Sequence, residues 1–172
     1  DKKVVFGAVT VTGTNVSAAT LNKVLANLEY VVGDLQFGAG LEFAENDGDV
    51  LLPNLLNTGG RLIVHPCETL RSLKLPQLTH VGGELVMGVG GNLESLELPK
   101  LAKVVGGLAV DGGASLMSLK LPSLVKVGGD WTVDTSDAMI KLLLPKMEEV
   151  GGAFVLHGGA KMQNFTAPVL TH

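Results

Sequence analysis

Hydrophobic residues recur along this chain in short alternating runs, L-x-L and L-x-V, separated by turn-forming residues. Alternation with a period of two places every second side chain on one face of an extended strand, so the runs predict short half-buried strands. The runs are themselves periodic. Pro53, Pro76, Pro99, Pro122, Pro145 and Pro168 fall 23 residues apart. Each proline sits in a unit L-x-x-L-x-L-P-x-L-x-x-V-G-G-x-L-x-V, clearest from Leu70 to Met87 and again from Leu93, Leu116 and Met139.

Aligned on the prolines, the apolar residues form columns. Three before the proline stand Val50, Leu73, Leu96, Leu119, Leu142 and Phe165, and one before it Leu52, Leu75, Leu98, Leu121, Leu144 and Ala167. Two after it stand Leu55, Leu78, Leu101, Leu124, Met147 and Leu170. Leu62, Leu85, Leu108, Trp131 and Phe154 follow nine after, and Val64, Met87, Val110, Val133 and Leu156 eleven after. A single unit this short cannot screen these side chains from water, but stacking like on like buries them as ladders. The pattern therefore predicts a mainly β solenoid with 23-residue coils, pairing parallel at about 4.8 Å per rung into a rod roughly 35 Å long. Gly82-Gly83, Gly128-Gly129 and Gly151-Gly152 mark a corner needing either positive φ or close backbone approach, and at Val105-Gly106 only the second glycine is kept. The prolines belong at strand ends beside a corner.

The period loosens near the N-terminus. Ala26 takes the proline slot and lies 27 residues before Pro53, so four extra residues bulge out within an insertion at 38–49. Ser17 heads a segment, 17–28, with Leu21, Val24, Leu25 and Leu28 on one helical face; it is expected to be a capping helix beside a strand at Ala8–Thr12. The chain reads as a single domain over 1–172, regular from 50 onward, with the ladder left uncapped after Leu170.

Composition narrows the function classes. Hydrophobic residues are 46% and charged residues 17%, which excludes intrinsic disorder. A net charge of -4 without a basic cluster argues against nucleic acid as a partner. The longest uncharged stretch, 4–22, is too rich in Thr, Ser and Asn to span a membrane. Cys67 is the single cysteine, so no internal disulfide forms. Asn15 and Asn164 head sequons for glycosylation.

Outward columns are the place to look for a site. Two before the proline, Lys74, Glu97 and Lys120 would pair across neighbouring coils. Ten after it, Ile63, Val86, Ala109, Thr132 and Val155 make an outward but mostly apolar, small column, the first candidate ligand-binding face. A turn edge with His65, Asp111, Asp134 and His157 is the second candidate. Catalytic, cofactor and metal constellations are not expected. His65 and Cys67 share one turn without a second pair at zinc spacing, and Asp111, Asp134 and Asp137 read as solvated turn acids. The glycine-rich turns lack the strand-to-helix context and the Lys-Ser/Thr pair of a phosphate loop. His80 falls in an exposed polar column with Asn57, Lys103, Lys126 and Glu149.

The unit LxSLxLPxLxxVGGxLxV resembles the receptor L-domain superfamily, the leucine-rich β-solenoids of insulin and epidermal-growth-factor receptor ectodomains. LNKVLANLEYVVGDLQF is similar to their helix-then-strand opening. A still closer repeat occurs in fungal cell-wall glycolipid-anchored proteins and in bacterial and protist surface proteins. The resemblance covers about 8–172 and implies a right-handed solenoid located outside the cell or on its surface. Unlike the receptors, this chain has no cysteine pairs. The resulting expectation is a non-enzymatic binding or adhesion module for a protein or glycan ligand. The alternatives are a scaffold associating end to end through its uncapped last coil and, less favoured, a carbohydrate-active enzyme.

Overall fold

The computed structural model describes residues 3–44, 48–88, 90, 92–135 and 138–166. Among them the chain winds through seven coils whose strands build three parallel sheets. The first coil holds β1 (Lys3–Val5), β2 (Val9–Val11) and the helix α1 (Ala18–Leu25). Each later coil supplies one strand to every sheet. The second gives β3 (Leu28–Val31), β4 (Leu35–Phe37) and β5 (Asp49–Leu51), and the third β6 (Asn57–Thr58), β7 (Leu62–Val64) and β8 (Ser72–Lys74). Then come β9 (His80–Val81), β10 (Leu85–Gly88) and β11 (Ser95–Glu97), followed by β12 (Lys103–Val104), β13 (Leu108–Asp111) and β14 (Ser118–Lys120). The sixth coil has β15 (Lys126–Val127), β16 (Trp131–Thr135) and β17 (Lys141–Leu143), and the seventh β18 (Glu149–Val150), β19 (Phe154–Gly158) and β20 (Asn164–Thr166).

Register follows the sequence period. Leu62, Leu85, Leu108, Trp131 and Phe154 are successive partners in the second sheet, and Leu73, Leu96, Leu119, Leu142 and Phe165 belong to one ladder of the third. Inside the stack these columns are sealed: Leu62, Leu85, Leu96 and Leu119 are all at 0% exposure. Ala167, Pro168 and Leu170, expected to extend the columns, lie outside the described residues.

Pro76, Pro99, Pro122 and Pro145 each open a β-turn leaving the third sheet. Leu78 N donates to Leu75 O at 3.3 Å across Pro76, and Leu101, Leu124 and Met147 repeat the bond over Pro99, Pro122 and Pro145. Proline at the second turn position fixes φ where no backbone donor is needed. The glycine corners turn on close approach, since none of the paired glycines has positive φ. Gly33, Gly60, Gly83, Gly106, Gly129 and Gly152 each donate through N–H to the carbonyl of the matching glycine one coil back, beginning at Gly7. This second-glycine column is unbroken, whereas the first also admits Val32 and Val105.

The N-terminal end matches the expectation in part. The helix covers Ala18–Leu25, shorter than 17–28, because Leu28 leaves it to start β3 and is buried there. Val24, expected on the packed helical face, is 60% exposed. Ser17 does cap the helix, accepting from Thr20 N at 3.2 Å. β1 adds a strand the alternation did not signal, and the strand expected at Ala8–Thr12 is Val9–Val11. The four-residue bulge is where the spacing put it: Leu35 pairs with Leu62, but Val50 already pairs with Leu73. Leu41 and Phe43 from this insertion are buried, with Phe43 N donating to Thr69 Oγ1 at 2.7 Å and Cys67 Sγ donating to Leu41 O at 2.9 Å. Through Leu41 and Phe43 the insertion is anchored in the stack; its residues 45–47 lie outside the described residues.

On the third side α1 takes the place of a strand. Asn22 reaches from it to β5, its Nδ2 donating to Asp49 O and its Oδ1 accepting from Leu51 N, both at 2.8 Å. Those are the two bonds a neighbouring parallel strand would make through the N–H and C=O of one residue. Asn54 Nδ2 in turn donates to Ala26 O at 2.7 Å, satisfying a carbonyl at the helix end. Asn22→Ala is expected to lower stability by about 1–2 kcal/mol, since two backbone groups lose their partners. Urea denaturation checks it, with Asn22→Gln restoring little because the longer side chain misplaces the amide.

Candidate binding surfaces

The outer face of the second sheet is three residues wide. Its central column runs Thr10, Gln36, Ile63, Val86, Ala109, Thr132 and Val155, each the register partner of the next. The five residues singled out from the sequence thus stand side by side on consecutive rungs, all half-buried. Alternation explains the arrangement, because their chain neighbours on either side fill the core columns.

Charged groups border this strip on the corner side. Asp34 bridges to the next coil, accepting from Arg61 N at 2.7 Å, Nε at 3.1 Å and the terminal guanidinium nitrogen at 2.9 Å. The Arg61 side chain, helped by its backbone N–H, holds the Asp34 carboxyl below the usual carboxylate range, and Arg61 is raised in return. Asp130 does the same backbone task four coils on, accepting from Ala153 N at 2.8 Å. Between Glu84 and Asp130, the absence of a side chain at Gly107 leaves a dip of about 170 Å³ beside Val86, Ala109 and Thr132.

The turn-side border holds the second candidate group. Asp111 and Asp134 are register partners, as are Asp134 and His157. His65 lies on the same edge, far from His157 at one rung per coil, and Cys67 is buried against Leu41. Among the described residues no group of three or more His, Cys, Asp or Glu is placed to hold a metal ion. Asp137 lies outside the described residues.

A wider depression lies on the third sheet, about 660 Å³, and sequence reasoning did not single it out. Ser72, Ser95, Lys74 and Glu97 line it, together with Asp49, Pro76 and Pro99. The usable signal was the serine column four before the proline, Ser72, Ser95 and Ser118, whose strands pair in register. The charge alternation beside it behaves as expected in part: Lys74, Glu97 and Lys120 are register neighbours, and Lys120 Nζ lies 3.5 Å from Glu97 Oε2. Such exposed pairs contribute little to stability. On the first sheet, His80 stands between Asn57 and Lys103, and Lys126 pairs with Glu149 at 2.6 Å.

No helix among the described residues is long and apolar enough to cross a membrane. Set against known proteins, the chain matches no family model, and no curated protein or solved structure shows significant similarity to it.

Proposed function

We propose that this solenoid is a non-enzymatic binding module of the receptor L-domain type, working outside the cell or on its surface, and that it offers the outer face of its second sheet to a protein ligand. One observation carries the reading. Ile63, Val86, Ala109, Thr132 and Val155 form a strip of small, weakly polar side chains on consecutive rungs of a parallel sheet, bordered by charged columns. A flat apolar centre inside a polar margin is the anatomy of a protein interface. The central column has no aromatic ring on which a sugar could stack, which favours protein over glycan. The repeat motif's likeness to surface solenoids supports the location.

Introducing a charge into the strip tests this. Val86→Glu and Thr132→Glu point outward from the core, so their melting temperatures should match the parent chain. Binding to extracellular proteins immobilised on an array should weaken at least tenfold. Binding that is unchanged in both variants, for every ligand the parent chain captures, overturns the assignment of this face.

A further inference from the structure

The depression on the third sheet carries a charge pattern that the proposed function leaves unused. Its lining sorts by coil. The third coil contributes Arg71 and Lys74 on either side of Ser72, and the fourth contributes Glu94 and Glu97 on either side of Ser95. Lys74 and Glu97 are register partners, so the two rows stand one rung, about 4.8 Å, apart. Strand alternation explains the arrangement: Leu73 and Leu96 are buried, which turns Ser72, Lys74, Ser95 and Glu97 outward. The rows do not neutralise each other. Glu97 Oε2 lies 3.5 Å from Lys120 Nζ, on the opposite side from Lys74. Among the described residues neither Lys74 nor Glu94 engages its side chain in a hydrogen bond or an ion pair. Asp49, on the second coil, accepts from Ser72 Oγ at 2.6 Å.

We propose that this depression binds a small zwitterion, an oxyanion and a primary ammonium about one rung apart, with the oxyanion over the third coil and the ammonium over the fourth. The site lies on a different sheet from the proposed protein-binding face and does not depend on that reading. Its volume, about 660 Å³, falls within the range of small-molecule sites. Arg71 brings a planar fork and Lys74 a point charge, both suited to an oxyanion. On the fourth coil Glu94, Ser95 and Glu97 all present acceptors, which match the three hydrogens of a primary ammonium. A quaternary ammonium has no such hydrogen and is recognised by aromatic rings, none of which lines the depression. A plain anion or cation would meet one row and be repelled by the other. Asp49 flanks the cations on their other side, but as one carboxylate already bonded to Ser72 it draws the ammonium less than Glu94 and Glu97 together. The ligand therefore has one preferred orientation.

Isothermal titration calorimetry with O-phosphoethanolamine and with γ-aminobutyrate, at low salt, should show saturable binding, and the tighter of the two names the oxyanion. Inorganic phosphate, ethanolamine and phosphocholine should each bind at least tenfold more weakly. Lys74→Gln and Glu94→Gln alter exposed side chains, so melting temperatures should match the parent chain while each weakens binding at least tenfold. In amide NMR spectra of the parent chain, Ser72 and Ser95 should shift together on saturation. Absence of saturable binding by either zwitterion overturns the proposal. So does inorganic phosphate or ethanolamine binding as tightly as the zwitterions, affinity unmoved in both variants, or amide shifts confined to the second sheet.

Discussion

Replacing Gly106 by valine is expected to destabilise the solenoid by about 3 kcal/mol, at the upper end of overpacking costs. For a chain of this size that lowers the melting temperature by about 6–12 °C. A Cβ built on Gly106 would lie 2.9 Å from the carbonyl carbon of Gly83 and 2.9 Å from Glu84 N. Both are backbone atoms of the coil below, so no rotamer change relieves the clash. Moving the coil instead would lengthen the Gly106 N to Gly83 O bond, now 2.9 Å, and disturb the glycine ladder on both sides. Val105→Ala, one residue earlier, is the control. Val105 is 45% exposed, and its trimming should change stability by no more than about 0.5 kcal/mol. Differential scanning calorimetry of the two variants decides the matter: equal melting temperatures would mean that corner spacing is not set by these glycines.

Leu85→Ala is expected to cost about 2–5 kcal/mol, as for other fully buried leucines. Leu85 is at 0% exposure between Leu62 and Leu108, and the coils above and below are tied by ladder bonds that limit collapse around a void. The same change at Leu156, half-buried in the last coil, should cost about 1 kcal/mol, because less apolar surface leaves water there. Position in the stack matters for a second reason. A coil touches only its neighbours, so stability is a sum of unit and interface contributions. A weak fourth coil should separate the unfolding of the flanking coils. Trp131, the single tryptophan, lies buried in the sixth coil and reports on the C-terminal side. Its fluorescence midpoint in urea should coincide with that of far-ultraviolet circular dichroism in the parent chain and diverge from it in Leu85→Ala. Coincident midpoints in both would mark the stack as one cooperative block.

Most of this architecture was legible because the period repeats each physical constraint. Six prolines on a constant spacing gave the coil length, and the Leu85 and Leu96 columns announced their burial through alternation alone. The offset of Ala26 from Pro53 located the four-residue bulge, and register agrees. What escaped is what occurs once. The helix stops before Leu28 because pairing with β1 outweighs helical continuation, and a long-range partner of that kind leaves no local trace. Val24 looked inward on a helical wheel, yet the stack lies on the other side of α1. Nothing in the spacing said that Asn22 would face β5. The outward column from Ile63 to Val155 was read correctly as one strip, since strand alternation decides it. The depression over Ser72 and Ser95 was not found, because relief on a surface depends on the heights of neighbouring turns.

The Asn22 bridge carries a lesson for building repeat proteins of chosen length. Exposed strand edges invite uncontrolled growth, and designers usually blunt them with charge, proline or a bulge. Here a single carboxamide borrowed from a helix stands in for the N–H and C=O of one strand residue, meeting the donor and the acceptor of β5 together. Transplanting that short helix with its asparagine onto the first rung of an artificial array should terminate one of its sheets through a neutral side chain, while leaving the other two free to be extended or closed as the maker wishes.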